Sequence, residues 1–216
     1  MKKIIAVFMA SALFFSLCAC AKDTNSTSDK GSDNMNGTYS SAASAAMKEG
    51  NLVHSAETIG MAQRGGSVTS HVRIGEEAWS PMIPEGHADV LLSFEPAEAV
   101  RNLRYLKKDG LVIVNSVPVK PVTESLQDSG YDGTEMISYL QKKCHCIVVD
   151  GQKLCEPFGS TRYFNVAVLG VAVGTGRLGL SEDTLLSEIT ERVPERFVET
   201  NKEAFMAGFR IGNEYR

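Results

Sequence analysis

From Leu52 to Val149 the chain alternates short apolar runs, each bounded by turn residues, with stretches of helical spacing. The runs are Leu52 to Ala56, Val68 to Ile74, Val90 to Phe94, Leu111 to Asn115 and Cys146 to Val149, and their length and β-branched content predict strands. Glu95 to Leu106 sets Ala99, Val100, Leu103 and Leu106 on one side of a helix, and Thr134 to Lys143 does the same with Ile137 and Leu140. Thr161 to Thr175 is small and apolar on most faces, as a core helix is. Ser181 to Val193 opens with a capping Ser-Glu-Asp, and Pro194 suits the first turn of a last helix carrying Phe197, Val198, Asn201, Phe205 and Met206. Strands alternating with helices predict an α/β domain with a largely parallel sheet covered on both faces.

The loop before the second run reads Gly60-Met61-Ala62-Gln63-Arg64-Gly65-Gly66-Ser67. Adjacent glycines let the backbone approach a ligand or a second chain, and Arg64 adds a fixed positive charge. Backbone N–H groups of Gly65, Gly66 and Ser67 could form an anion nest. Along the strand that follows, Thr69, His71 and Arg73 share one face, so His71 and Arg73 join Gln63, Arg64, Gly65, Gly66 and Ser67 as candidate residues for a phosphate or carboxylate. The competing reading of that face is a half-exposed polar strand surface. Glu57 has no His or nucleophile paired with it in sequence, and no Ser-His-Asp, His-Glu-x-x-His or Walker-type arrangement occurs, so no catalytic residue is assigned. His54, His87 and His145 read as surface or packing residues.

The first fifty residues differ in kind. Lys2 and Lys3 precede an apolar run from Ile4 to Leu17 and the tetrad Leu17-Cys18-Ala19-Cys20, which together resemble a bacterial lipoprotein leader with Cys20 as the lipidated residue. A stretch rich in Ser, Asn, Asp and Thr follows, with almost no large apolar residue, a composition expected to stay disordered. The expected organisation is a signal peptide over 1–20, a polar tether over 21–45 and one folded domain over 46–212. That leader predicts a membrane-anchored lipoprotein.

A net charge of −4 argues against a general nucleic-acid surface, which asks for clustered Lys and Arg. Cys144-His145-Cys146 and Cys155 offer metal-ligand chemistry, but the flanking Ile147-Val148-Val149 favours a buried strand in which cysteine is a small hydrophobe. No metal site is assigned.

Several segments in order carry a family likeness: His54 to Val68, Ser80-Pro81-Met82-Ile83-Pro84-Glu85-Gly86, Ala88 to Pro96, Val112 to Ser116, Arg162 to Gly170 and Val193 to Gly208. Together they resemble the gamma-type domain of 2-oxoacid:ferredoxin oxidoreductases, and within that family the indolepyruvate type, over roughly residues 46 to 212. The resemblance implies a three-layer α/β/α domain with a mixed sheet. It also implies a small subunit that holds no cofactor itself. Thiamine diphosphate and iron-sulfur clusters would lie in a larger partner subunit, with coenzyme A as a substrate, ferredoxin as the acceptor and a cytoplasmic setting. The loop Gly60 to Ser67 would face that partner or the coenzyme A phosphates. Members of the family open with a strand and a Gly-x-Gly-Gly-x-Gly turn. No such turn occurs in this sequence, so the first strand and its turn are expected to be missing.

Overall fold

The structure, a computed structural model, describes residues 4–11, 33–59, 67–76, 80–119 and 130–216. Its centre is a six-stranded mixed sheet in the order β2-β3-β1-β4-β5-β6. The strands are β1 (Ile4–Ser11), β2 (Val53–Ile59), β3 (Ser67–Ile74), β4 (Ala88–Ser93), β5 (Leu106–Asn115) and β6 (His145–Val149). β1, β4, β5 and β6 run parallel, and β3 is antiparallel to both β1 and β2.

Two expectations are corrected here. The first strand is present: the front of the apolar run behind Lys2 and Lys3 forms β1, aligned with β3 from Ile4↔Ile74 to Ser11↔Ser67 and with β4 from Ala6↔Val90 to Met9↔Ser93. Cys20 and the rest of that run lie outside the described residues. The second half of the supposed tether also folds, as helix α1 (Asp33–Lys48). Its alanines Ala42, Ala43, Ala45 and Ala46 are buried against the core with Tyr39 packed beside them, and their small side chains let the helix dock closely. Lys48 reaches Glu188 and Glu191 at 2.8 Å, and Arg192 donates to Ser40 at 2.8 Å, tying α1 to the later helix α6 (Glu182–Arg192).

Alternate residues of each strand feed two cores. Val72, Ile74, Val90, Leu92, Leu111, Ile113, Ile147 and Val149 pack under α1 and under α5 (Phe164–Gly174), while Leu91, Val112, Val114 and Val148 pack with Ala99 and Leu140 on the other side. That second layer consists of α2 (Pro96–Asn102) and α3 (Thr134–Lys143). The period-two pattern of a sheet buried on both faces thus yields the expected three-layer α/β/α domain.

Element ends differ in detail. The expected helix to Leu106 stops at Asn102, whose side chain turns back to donate to the Glu98 carbonyl at 3.0 Å; a 3-10 turn over Leu103–Tyr105 follows and Leu106 already begins β5. The short helix α4 (Gly151–Cys155) follows β6, and a 3-10 turn, Thr161–Tyr163, precedes α5. Ser181 caps α6 as expected, accepting from the Thr184 N–H at 3.1 Å. Pro194 is the N-cap of α7 (Glu195–Asn213), one residue before the first turn.

α5 and α7 make the tightest contact of the domain. Gly170 and Gly174 on one helix face Gly208 and Gly212 on the other, and a Cβ added at any of the four would fall 1.8–2.3 Å from a backbone oxygen of the opposing helix. Small residues four apart let two backbones touch, at a separation where Cα–H groups meet carbonyls.

Candidate functional site

β1, β4, β5 and β6 end on one edge of the sheet, at Ser11, Ser93, Asn115 and Val149. Because β3 is antiparallel, it begins on that same edge at Ser67, beside the end of β2. The chain leaves β1 toward β2 and β3 but leaves β4 toward β5, so the strand order reverses between β1 and β4. A crevice outside the carboxyl ends at such a reversal is where open α/β sheets take their ligands.

The sequence Ser93-Phe94-Glu95-Pro96 turns β4 into α2 at this point. Glu95 caps the helix with extended backbone (φ −149°, ψ 134°) while Pro96, which has no N–H to satisfy, occupies the first helical position. The Glu95 carboxylate accepts from the Glu98 N–H at 2.8 Å and from the Tyr131 hydroxyl at 2.5 Å; that hydroxyl accepts in turn from the Ala97 N–H at 3.2 Å. Burial first, then the neighbouring Glu95 charge, pushes the Tyr131 pKa up, so it stays a neutral donor. Glu98 is 3% exposed and accepts from Ser67 Oγ at 2.5 Å and from Arg101. On the next strand Asn115 donates to the Phe94 carbonyl at 3.3 Å and accepts from the Gly151 N–H at 3.1 Å, joining the ends of β4, β5 and β6. Tyr131→Phe removes the only hydroxyl in this network that both donates to Glu95 and accepts from α2. The expected loss is about 1–3 kcal/mol in denaturant unfolding at an unchanged slope, the cost of an unmet buried acceptor.

Among the described residues, the three predicted site residues Ser67, His71 and Arg73 do not converge. Ser67 is at that sheet edge, where its hydroxyl donates to Glu98. His71 lies about 13 Å further along the strand and Arg73 about 20 Å, at the ordinary rise per residue, so one small anion cannot touch all three. Thr69 and Arg73 on that face are half-buried, as a half-exposed polar surface requires, but His71 between them is 1% exposed: its Nδ1 accepts from the Ile83 N–H at 3.3 Å, and it packs edge-on to Tyr105. Arg73 donates to the Ser80 carbonyl at 2.7 Å. Both residues hold the crossover between β3 and β4. Gln63, Arg64, Gly65 and Gly66 lie outside the described residues. Glu57 accepts from Ser70 Oγ at 3.4 Å, and burial raises its pKa.

Sequence reasoning missed Glu95, Glu98, Tyr131 and Asn115. A Glu directly before Pro at a strand-to-helix junction was the available signal for the first.

Burial pushes the Cys146 thiol up to about 12, with a smaller contribution from Cys144, and pushes Cys155 up to about 11; Cys144 is also raised. Among the described residues no group of three His, Cys, Asp or Glu side chains is placed to hold a metal ion.

This mixed three-layer α/β/α fold, its strand order reversing between β1 and β4, is that of gamma subunits of oxoacid ferredoxin oxidoreductases. The gamma subunit of a keto/oxoacid ferredoxin oxidoreductase from Geobacter sulfurreducens superposes with a TM-score of 0.66 at 18% identity, covering 98% of this chain and 99% of that one. Residues 32–211 match the family described as pyruvate ferredoxin/flavodoxin oxidoreductase, and the chain belongs to that family. It is 38% identical over 173 residues to indolepyruvate oxidoreductase subunit IorB of Pyrococcus horikoshii, and 36% identical to the subunit of the same name from Thermococcus kodakarensis. Each alignment covers 79% of this chain and 86% of the relative.

Proposed function

We propose that this chain is the small subunit of a 2-oxoacid:ferredoxin oxidoreductase whose substrate is indolepyruvate or another aryl pyruvate. In the overall reaction the bond between the carboxylate and the oxo carbon breaks, carbon dioxide leaves, and the acyl group joins the sulfur of coenzyme A. The two electrons released pass to ferredoxin. Thiamine diphosphate and iron-sulfur clusters belong to a larger partner subunit in this reading. The small subunit closes one wall of the site with the crevice edge around Ser67, Ser93 and Glu95.

The observation that carries this reading is the identity of 34–38% with four IorB subunits, each along more than four-fifths of the relative's length. A reconstituted complex tests the substrate class: kcat/KM for indolepyruvate and phenylpyruvate is expected to exceed that for pyruvate and 2-oxoglutarate by at least about tenfold, roughly 1.4 kcal/mol of transition-state discrimination. Equal or reversed preference overturns the aryl assignment while leaving the family intact.

We further propose a cytoplasmic setting in place of a lipid anchor. Cleavage before Cys20 would remove β1 from the middle of the sheet, which disfavours a tethered binding lipoprotein built on the same core.

A further inference from the structure

The crossover from β3 to β4 is held down by side chains that no ligand-binding role absorbs. Ile83, 2% exposed, is its apolar anchor, and the Ile83 N–H is satisfied by Nδ1 of buried His71. Arg73 grips the Ser80 carbonyl at 2.7 Å, and the Gly86 N–H donates to the Arg104 carbonyl at 2.8 Å. An imidazole nitrogen accepts a hydrogen bond only while it carries no proton.

We propose that His71 is an acid-sensitive latch for the segment Ser80 to Gly86: the neutral ring holds Ile83 closed, and a proton on Nδ1 releases the segment before the domain unfolds.

The surroundings oppose a charge on the ring. On its own strand Arg73 shares its face. The 3-10 turn before β5 presents Tyr105, edge-on at 5.1 Å, with the Arg104 guanidinium over the same tyrosine at 5.0 Å. On the crossover, Glu85 pairs with Arg104 at 3.6 Å and its carbonyl meets His87 at 2.7 Å. From β2, Ala56 lies opposite His71 and His54 opposite Arg73; Glu57 pairs with Ser70, whose neighbours Val72 and Ile74 belong to the other core. From β1, Val7 is in register with His71. Among the described residues no carboxylate forms a salt bridge with His71. Desolvation accordingly lowers its pKa from 6.5. The sign follows: the open state binds more protons, so the stability of the closed latch is fully present above pH 6.5 and is lost as the pH falls toward the lowered folded value.

Histidine-ring titration and amide hydrogen exchange by NMR on the full chain test this directly. Corrected for intrinsic rates, the opening constant at the Ile83 amide is expected to rise about tenfold per pH unit below pH 6.5, flattening at the His71 midpoint. Amides of Val112 and Ile113 in β5 should keep their protection. In His71→Gln the acid step should vanish, and in wild type the His71 ring midpoint must coincide with the flattening whether or not that variant folds. Exchange at Ile83 that ignores pH, tracks the β5 amides, or keeps its step in H71Q overturns the latch.

Discussion

A chain lacking residues 1–19 is expected to lose its cooperative thermal transition and most of its near-ultraviolet dichroism, whereas the full chain melts as one unit. β1 is aligned with β3 through eight residues and with β4 through four. Removing it leaves a two-stranded antiparallel pair, β2 and β3, separated from the three parallel strands β4, β5 and β6. A two-stranded pair is marginal alone in water, and the two new edges would expose Val72 and Val90, both fully buried now. Losing the central strand therefore costs an amount comparable with the roughly 5–15 kcal/mol that stabilises an ordinary domain. Cooperative melting of the shortened chain would show that Ile4–Ser11 is dispensable and would restore the leader as its main role.

Gly208→Ala carries the second large effect. The new methyl would sit 1.8 Å from the Ala167 carbonyl oxygen, inside α5, where no flexible side chain can yield. The helices must separate, uncovering Phe205 and Val171, which are buried to 0% exposure. Overpacking a dense core costs about 1–3 kcal/mol and sometimes more; contact with a backbone atom places this substitution at or above the upper end. Gly159→Ala is the control. That position has open space around it but φ +70°, so the expected cost is only about 1–2 kcal/mol of left-handed strain. Equal melting shifts for the two variants would contradict the close approach of α5 and α7.

What the sequence disclosed tracks the range of the interaction. All five strands after residue 50 were legible because alternate burial on a two-faced sheet is a local pattern, and each lies within a few residues of its expected place. β1 was not. Seven apolar residues, Ile4 to Ala10, behind two lysines satisfy both a leader and a buried strand, and periodicity cannot separate the two. α1 was hidden for another reason: it buries alanines, while its Ser, Thr and Asn residues give it the composition of a linker. At the crevice, Glu95 was within reach of capping logic, but its partner Tyr131 arrives from 36 residues away, beyond any spacing rule. His71 faced the side its parity assigns. Its burial depends on Ile83 and Tyr105, which reach it only after the crossover folds back.

Native mass spectrometry of the complex, after co-expression of the untagged full chain with a larger thiamine- and cluster-bearing subunit, tests the central claim most directly. The expected result is a stable assembly in which the small subunit has the mass of the complete sequence, near 23.4 kDa, and which reduces ferredoxin only when an aryl pyruvate and coenzyme A are both present. No assembly, or a small subunit shortened to begin at a lipid-modified Cys20, would contradict it.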